Sequence, residues 1–170
     1  MTYIDTHNHM AWDIDDGFQS MQDSEVALRM MEKDGITKMI ATPHFVPGNL
    51  NKQDVIDMNE RISDLKMLAK PYGIEVYEGC ELFLNHDYLD ALDNELYNTL
   101  AGSRYLLCEF DVRKNIDHND EVEDMLYELT VRDLIPVVAH VERYFHEGID
   151  LDRVQEWIDM GCLIQINRTS

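Results

Sequence analysis

Short apolar runs alternate with amphipathic segments along the whole chain. The runs predict strands over Tyr3–Thr6, Lys38–Thr42, Glu75–Glu81, Tyr105–Phe110, Ile135–His140 and Cys162–Ile166. The intervening segments predict helices over Ser24–Asp34, Asp54–Lys70, Asp87–Leu100, Glu121–Arg132 and Asp152–Met160. In the second of these, Ile56, Met58, Ile62, Leu65, Met67 and Leu68 recur close to the 3.6-residue period, and Gly35 stands where the first helix should stop. Strands alternating with helices predict an α/β fold with a parallel sheet. Six strands fall short of an eight-unit barrel, which takes about 250 residues. The pattern therefore leaves both an open sheet and an unfinished barrel.

Composition narrows the function classes. With 170 residues, 45% of them hydrophobic, residues 1–170 are expected to form a single domain with its own core. A formal charge of -20 argues against nucleic acid or an anionic membrane surface as partner, since both call for a basic footprint. No run is long enough to span a membrane, and the N-terminus has no signal-peptide pattern. Three cysteines, Cys80, Cys108 and Cys162, sit in apolar surroundings without close pairing. They read as buried small hydrophobes in a reducing compartment, so the expected location is cytoplasmic.

The chemistry lies at the strand ends. His7 and His9 are spaced to share one side of a strand, as a metal-ligand pair or as a hydrogen-bonded structural pair. The second strand ends in Thr42-Pro43-His44, the third in Gly79-Cys80-Glu81, the fourth in Cys108-Glu109-Phe110 and the fifth in Ala139-His140-Val141-Glu142-Arg143. A lone strand-end histidine is usually structural, but five successive strands ending in ligand-capable groups point to one mouth of a parallel sheet. Imidazoles mixed with carboxylates suit manganese, iron or zinc. Cys162 and Arg168 also match the Cys-x5-Arg spacing of cysteine-dependent phosphatases. The intervening Leu-Ile-Gln-Ile-Asn is strand-like and lacks the glycines of a phosphate-wrapping loop, so the match reads as coincidence.

Taken in order, Ile4-Asp5-Thr6-His7-Asn8-His9, Asp13-Ile14-Asp15-Asp16-Gly17, Ala41-Thr42-Pro43-His44, Gly79-Cys80-Glu81, Cys108-Glu109-Phe110 and Ala139-His140-Val141-Glu142-Arg143-Tyr144 resemble the polymerase-and-histidinol-phosphatase (PHP) superfamily. The closer likeness is to the bacterial manganese-dependent protein-tyrosine phosphatases of capsular and exopolysaccharide loci. The resemblance implies a distorted (β/α)7 TIM-like barrel, here incomplete with about six strands, and up to three ions at the strand C-termini. It implies Mn2+, with Fe, Zn or Co as alternatives. Residue by residue, it places a first ion on His7, His9 and Glu81, a second on Glu81, Glu109 and His140, and a third on Asp16 and His44. Asp16 and Arg143 would be catalytic, the guanidinium gripping phosphate. Asp13 and Asp15 either orient the ligands or lie on the rim.

The implied reaction is hydrolysis of protein phosphotyrosine, with a polysaccharide-assembly tyrosine kinase as substrate. Two alternatives stand beside it: a small-molecule phosphatase acting on a compound such as histidinol phosphate, and a non-catalytic metal-binding remnant. The family's Asp-x-His motif beyond the sixth strand has no counterpart in this sequence. The expectation is therefore a shortened member, with the second ion site complete and fewer than three ions bound.

Overall fold

A computed structural model describes residues 2–167. Eight parallel strands form two sheets among these residues. The first sheet has the order β1-β2-β4, from Tyr3–Asp5, Ile36–Ala41 and Glu75–Glu78. The second has the order β3-β5-β6-β7-β8, from His44–Phe45, Glu81–Phe83, Tyr105–Glu109, Ile135–Val138 and Leu163–Ile164. All neighbours pair in parallel. No closed barrel forms among the described residues.

The expected six strands become eight because two of them cross between the sheets. The Glu75–Glu81 run breaks at Gly79, giving β4 in one sheet and β5 in the other. A Cβ at Gly79 would stand 2.8 Å from Ile40 Cγ2 and 3.2 Å from Thr42 Cγ2, so only glycine lets the chain turn this close to β2. The Lys38–Thr42 run likewise ends at Ala41, and His44 resumes pairing in the second sheet. Backbone bonds from Thr42 N–H to Asn8 O (3.0 Å) and from Glu81 N–H to Pro43 O (2.9 Å) stitch the seam.

Five helices, α1 (Met21–Lys33), α2 (Lys52–Ala69), α3 (Tyr88–Asp93), α4 (Val122–Val131) and α5 (Leu151–Asp159), connect the strands. The first two begin earlier than the apolar period suggests, because polar residues cap them. Ser20 accepts Asp23 N–H, and Asn51 forms a reciprocal capping box with Asp54. α3 is much shorter than expected. It stops at Asn94, and Glu95 then takes a left-handed backbone (φ 55°) that no helix can continue.

Two large apolar clusters pack against the sheets, and a third, small one joins Leu100, Leu107 and Ala139. Under the five-stranded sheet the core is rich in aromatics, including Phe45, Phe110, Tyr144, Phe145 and Trp157. Under the three-stranded sheet it is aliphatic, built on Leu28, Met39, Ile62, Leu65 and Val76. The strand C-termini of both sheets open on the same side, where the ligand-capable residues gather.

Candidate metal centre

His7 and His9 leave β1 with both Nε2 atoms directed at Glu81 Oε2, each 3.1 Å away, and 3.3 Å from one another. His44, opening β3, brings Nδ1 to 3.3 Å from the same oxygen and 2.9 Å from Glu109 Oε1. Its Nε2 lies 3.3 Å from Asp16 Oδ1. His140, just past β7, sets Nε2 2.8 Å from Glu81 Oε1 and 3.6 Å from Glu109 Oε2. Glu81 is fully buried and touches all four imidazoles. The group lines a cavity of about 600 Å³ whose rim carries Arg143 and Asn167.

Three sets of donor atoms each lie within 4.8 Å of one another: His7, His9 and Glu81; His9, Asp16 and His44; and His44, Glu81 and Glu109. The expected residues gather in one place, but the grouping differs from the expected second set of Glu81, Glu109 and His140: His44 reaches both Asp16 and Glu109, and His140 stands outside these three sets, 2.8 Å from Glu81 Oε1. The placement along the chain also differs: His44 and Glu81 begin short strands of the second sheet instead of ending strands of the first.

The arrangement fits a cation. Glu81 Oε2 and His44 Nδ1 are buried without an aligned hydrogen bond, although they lie 3.3 Å apart and two further imidazole nitrogens stand 3.1 Å from the carboxylate oxygen. Buried polar atoms left in this way are costly unless something satisfies them. Imidazole and carboxylate are the donors of a borderline divalent ion. Thiolate is not on offer, since none of Cys80, Cys108 and Cys162 belongs to these donor sets.

Charge follows the same geometry. Burial opposes ionisation of Glu81, but the hydrogen bond from His140 and the close approach of the His7 and His9 imidazoles outweigh this and hold it well below the usual carboxylate range. Burial also opposes a charged His9, yet Asp15 and Glu81 push it up to about 10. His44 is raised, with Glu109 overcoming the cost of burial.

Two residues orient the histidines from behind. Asp15 Oδ2 lies 2.8 Å from His9 Nδ1 and accepts His44 N–H at 3.0 Å, while its Oδ1 accepts Gly17 N–H at 2.9 Å. The open choice for Asp15 is therefore decided in favour of orientation, whereas Asp13 is exposed. Gly17 permits this loop, because a Cβ there would fall 2.4 Å from His9 Cβ. Gln165 does for His7 what Asp15 does for His9, with Oε1 lying 3.2 Å from His7 Nδ1. The same oxygen accepts His140 N–H at 2.7 Å, and Gln165 O accepts Val141 N–H at 3.1 Å. These bonds brace His140 in a left-handed backbone (φ 33°), a conformation that costs a β-carbon residue about 1–2 kcal/mol. Sequence reasoning missed Gln165. The available signal was a lone amide in the apolar run from Leu163 to Ile166.

The sequence profile of the family described as "Capsular polysaccharide synthesis, CpsB/CapC" matches residues 3–170. The chain belongs to this family. Tyrosine-protein phosphatase CpsB of Streptococcus pneumoniae is 30% identical over 166 residues, which cover 96% of this chain and 67% of the relative. Tyrosine-protein phosphatase YwqE of Bacillus subtilis is 29% identical over 170 residues, 98% of this chain and 65% of the relative. Crystal structures described as those of YwqE and CpsB, "unique metal-dependent tyrosine phosphatases", include a chain that superposes with a TM-score of 0.75 at 25% identity. That match covers 96% of this chain and 66% of the other. The chain spans about two thirds of the length of these relatives.

In this CpsB/CapC chain, Arg143 is exposed at the cavity rim and makes no ion pair among the described residues. Its turn is anchored by the next residue. Tyr144 is buried, and its hydroxyl accepts Phe110 N–H at 3.1 Å. Asp16 is exposed, at the outer edge of the cluster. His118 lines a neighbouring cavity, and exposed His146 reaches Val112 O at 3.2 Å. Cys162 is buried at the start of the last strand, and Arg168, its partner in the Cys-x5-Arg match, lies outside the described residues. No helix among the described residues is long and apolar enough to cross a membrane.

Proposed function

We propose that the chain is a PHP-type domain, part of a distorted barrel, that hydrolyses protein phosphotyrosine with bound divalent cations, manganese foremost. The observation that carries this reading is Glu81 Oε2, buried without an aligned hydrogen bond among His7, His9 and His44. The relatives' descriptions as tyrosine-protein phosphatases and as metal-dependent support it.

In this reading His7, His9, Glu81, Glu109, His140, His44 and Asp16 hold the ions, with Glu81 shared between neighbouring positions. The ions would supply Lewis-acid polarisation of the phosphoryl oxygens. Arg143 binds the phosphate by charge-assisted hydrogen bonds and stabilises the charge that develops on its oxygens. Asp15 and Gln165 hold the imidazoles of His9 and His7 in fixed tautomers, leaving Nε2 of each free to ligate. Asp16 sits on the solvent side, where it can hold an ion or orient an incoming water. Tyrosine is a good leaving group, with a pKa of about 10, so the chain needs no strong general acid. Hydrolysis is direct, and Cys162 takes no part.

The family's connection with capsular polysaccharide synthesis makes a tyrosine kinase of polysaccharide assembly the proposed substrate. The three free cysteines suit a cytoplasmic location. The test is hydrolysis of para-nitrophenyl phosphate and of a phosphotyrosine peptide by this chain with added manganese, with and without chelator. Chelator-sensitive turnover of both is the expected result. Bound metal without turnover would overturn the reading in favour of a non-catalytic domain, and a preference for histidinol phosphate would redirect it to small molecules.

A further inference from the structure

Beside the proposed centre lies a second cleft, of about 530 Å³, which shares Asp16, His44, Phe83, Glu109 and Arg113 with the main cavity. Away from that shared edge its walls are mostly apolar, formed by Ile14, Val46, Leu50 and Met58 with Asp15 and Asn49 between them, and Phe83 of the shared edge continues the apolar surface. All five of these apolar side chains are partly buried, each keeping some exposed surface. The cleft sits on the seam between the sheets: Ile14 packs against the aliphatic core, and Leu50 and Met58 pack against the aromatic one. It is thus a gap left where the two sheets diverge, opening directly onto the ligand cluster. Its nearest guanidinium, Arg113, is committed to Asp111 at 2.7 and 3.0 Å, so the cleft favours a neutral, apolar group over a second anion.

The geometry points to this cleft as an aryl subsite: with the phosphoryl group at the ligand cluster, the ring of the phosphoester lies against Ile14, Val46, Leu50, Met58 and Phe83. The inference rests on the phosphomonoesterase reading and adds the element that selects tyrosyl over alkyl esters. An alkyl phosphate of serine type fills only the ligand cluster and leaves these five side chains in water. A ring one ester oxygen from phosphorus covers them.

The experiment compares phenylphosphonate with methylphosphonate as ligands of the manganese-loaded chain by titration calorimetry. Both carry the same anionic head and neither is hydrolysed. Phenylphosphonate is expected to bind about tenfold tighter or more, as covering a ring of this size implies. Truncating the wall in the Leu50→Ala/Met58→Ala double variant should bring the ratio of the two affinities towards one. Filling the cleft with Val46→Trp should do the same from the opposite direction, which guards against a folding effect of truncation. Equal affinities in the unaltered chain would overturn the aryl subsite while leaving the phosphomonoesterase reading intact. A phenyl preference that persists in both variants would also overturn it, placing the ring in the neighbouring cavity lined by Ile116 and His118. Failure to bind either phosphonate, with no turnover of para-nitrophenyl phosphate, would bring down the underlying reading and the subsite with it.

Discussion

The two sheets hold their shares of the proposed centre by different means. Glu81 and Glu109, from the five-stranded sheet, are 0% and 9% exposed and are fixed by the strands that carry them. His7 and His9 leave an edge strand whose Tyr3 and Ile4 are 52% and 59% exposed. Packing does little to fix such a strand, so each imidazole is tied from behind, His9 by Asp15 and His7 by Gln165. A carboxylate can be held by burial when imidazoles neutralise it; a ligand on an exposed edge needs a hydrogen-bonded support.

The two sides should therefore fail differently. Glu81→Gln is the largest expected loss, because this carboxylate touches every imidazole of the centre. Manganese affinity, measured by titration calorimetry, should fall more than about a hundredfold, since a neutral amide replaces the charged shared ligand. A loss under tenfold would show that the ions are held elsewhere. On the edge-strand side, Asp15→Asn and Gln165→Ala should each weaken manganese binding by about ten- to a hundredfold, the range for removing a residue that orients a ligand. Unfolding midpoints should move little for Asp15→Asn and further for Gln165→Ala, which also releases the left-handed His140 turn. Unchanged affinity in both variants would mean that packing alone fixes the histidines.

A smaller effect separates structural charge from functional charge. On the five-stranded side, away from the mouth, Glu123 accepts Arg153 Nε and Nη2 at 2.8 and 3.0 Å and Trp157 Nε1 at 2.7 Å. Burial raises its pKa, but these donors prevail and hold it below the usual range. A carboxyl depressed in the folded state stabilises above its unfolded pKa, about 4.3 for glutamate, and the stabilisation is lost as pH falls through the folded value. Glu123→Gln should therefore cost about 1–2 kcal/mol at pH 7 and progressively less in acid, read from urea midpoints across that range. An equal cost at every pH would assign the effect to packing against Trp157.

Much of the proposed centre is legible in the amino-acid sequence, because the strand-end chemistry is local. The two-residue spacing of His7 and His9 and the short motifs ending in His44, Glu81, Glu109 and His140 announce themselves within a few residues. The alternation of apolar runs with amphipathic segments likewise places five helices, four of them near their observed extents, and reveals the parallel α/β class. Tertiary structure alone decided three things. It split Glu75–Glu81 between two sheets at Gly79, because the choice of a strand's partner depends on Ile40 and Thr42, nearly forty residues earlier. It recruited Gln165 to His7 across 158 residues. It also opened the apolar cleft where the two sheets part. Periodicity records which face of an element is apolar; it carries no information on which distant element will cover that face, and these three features all lie in that choice.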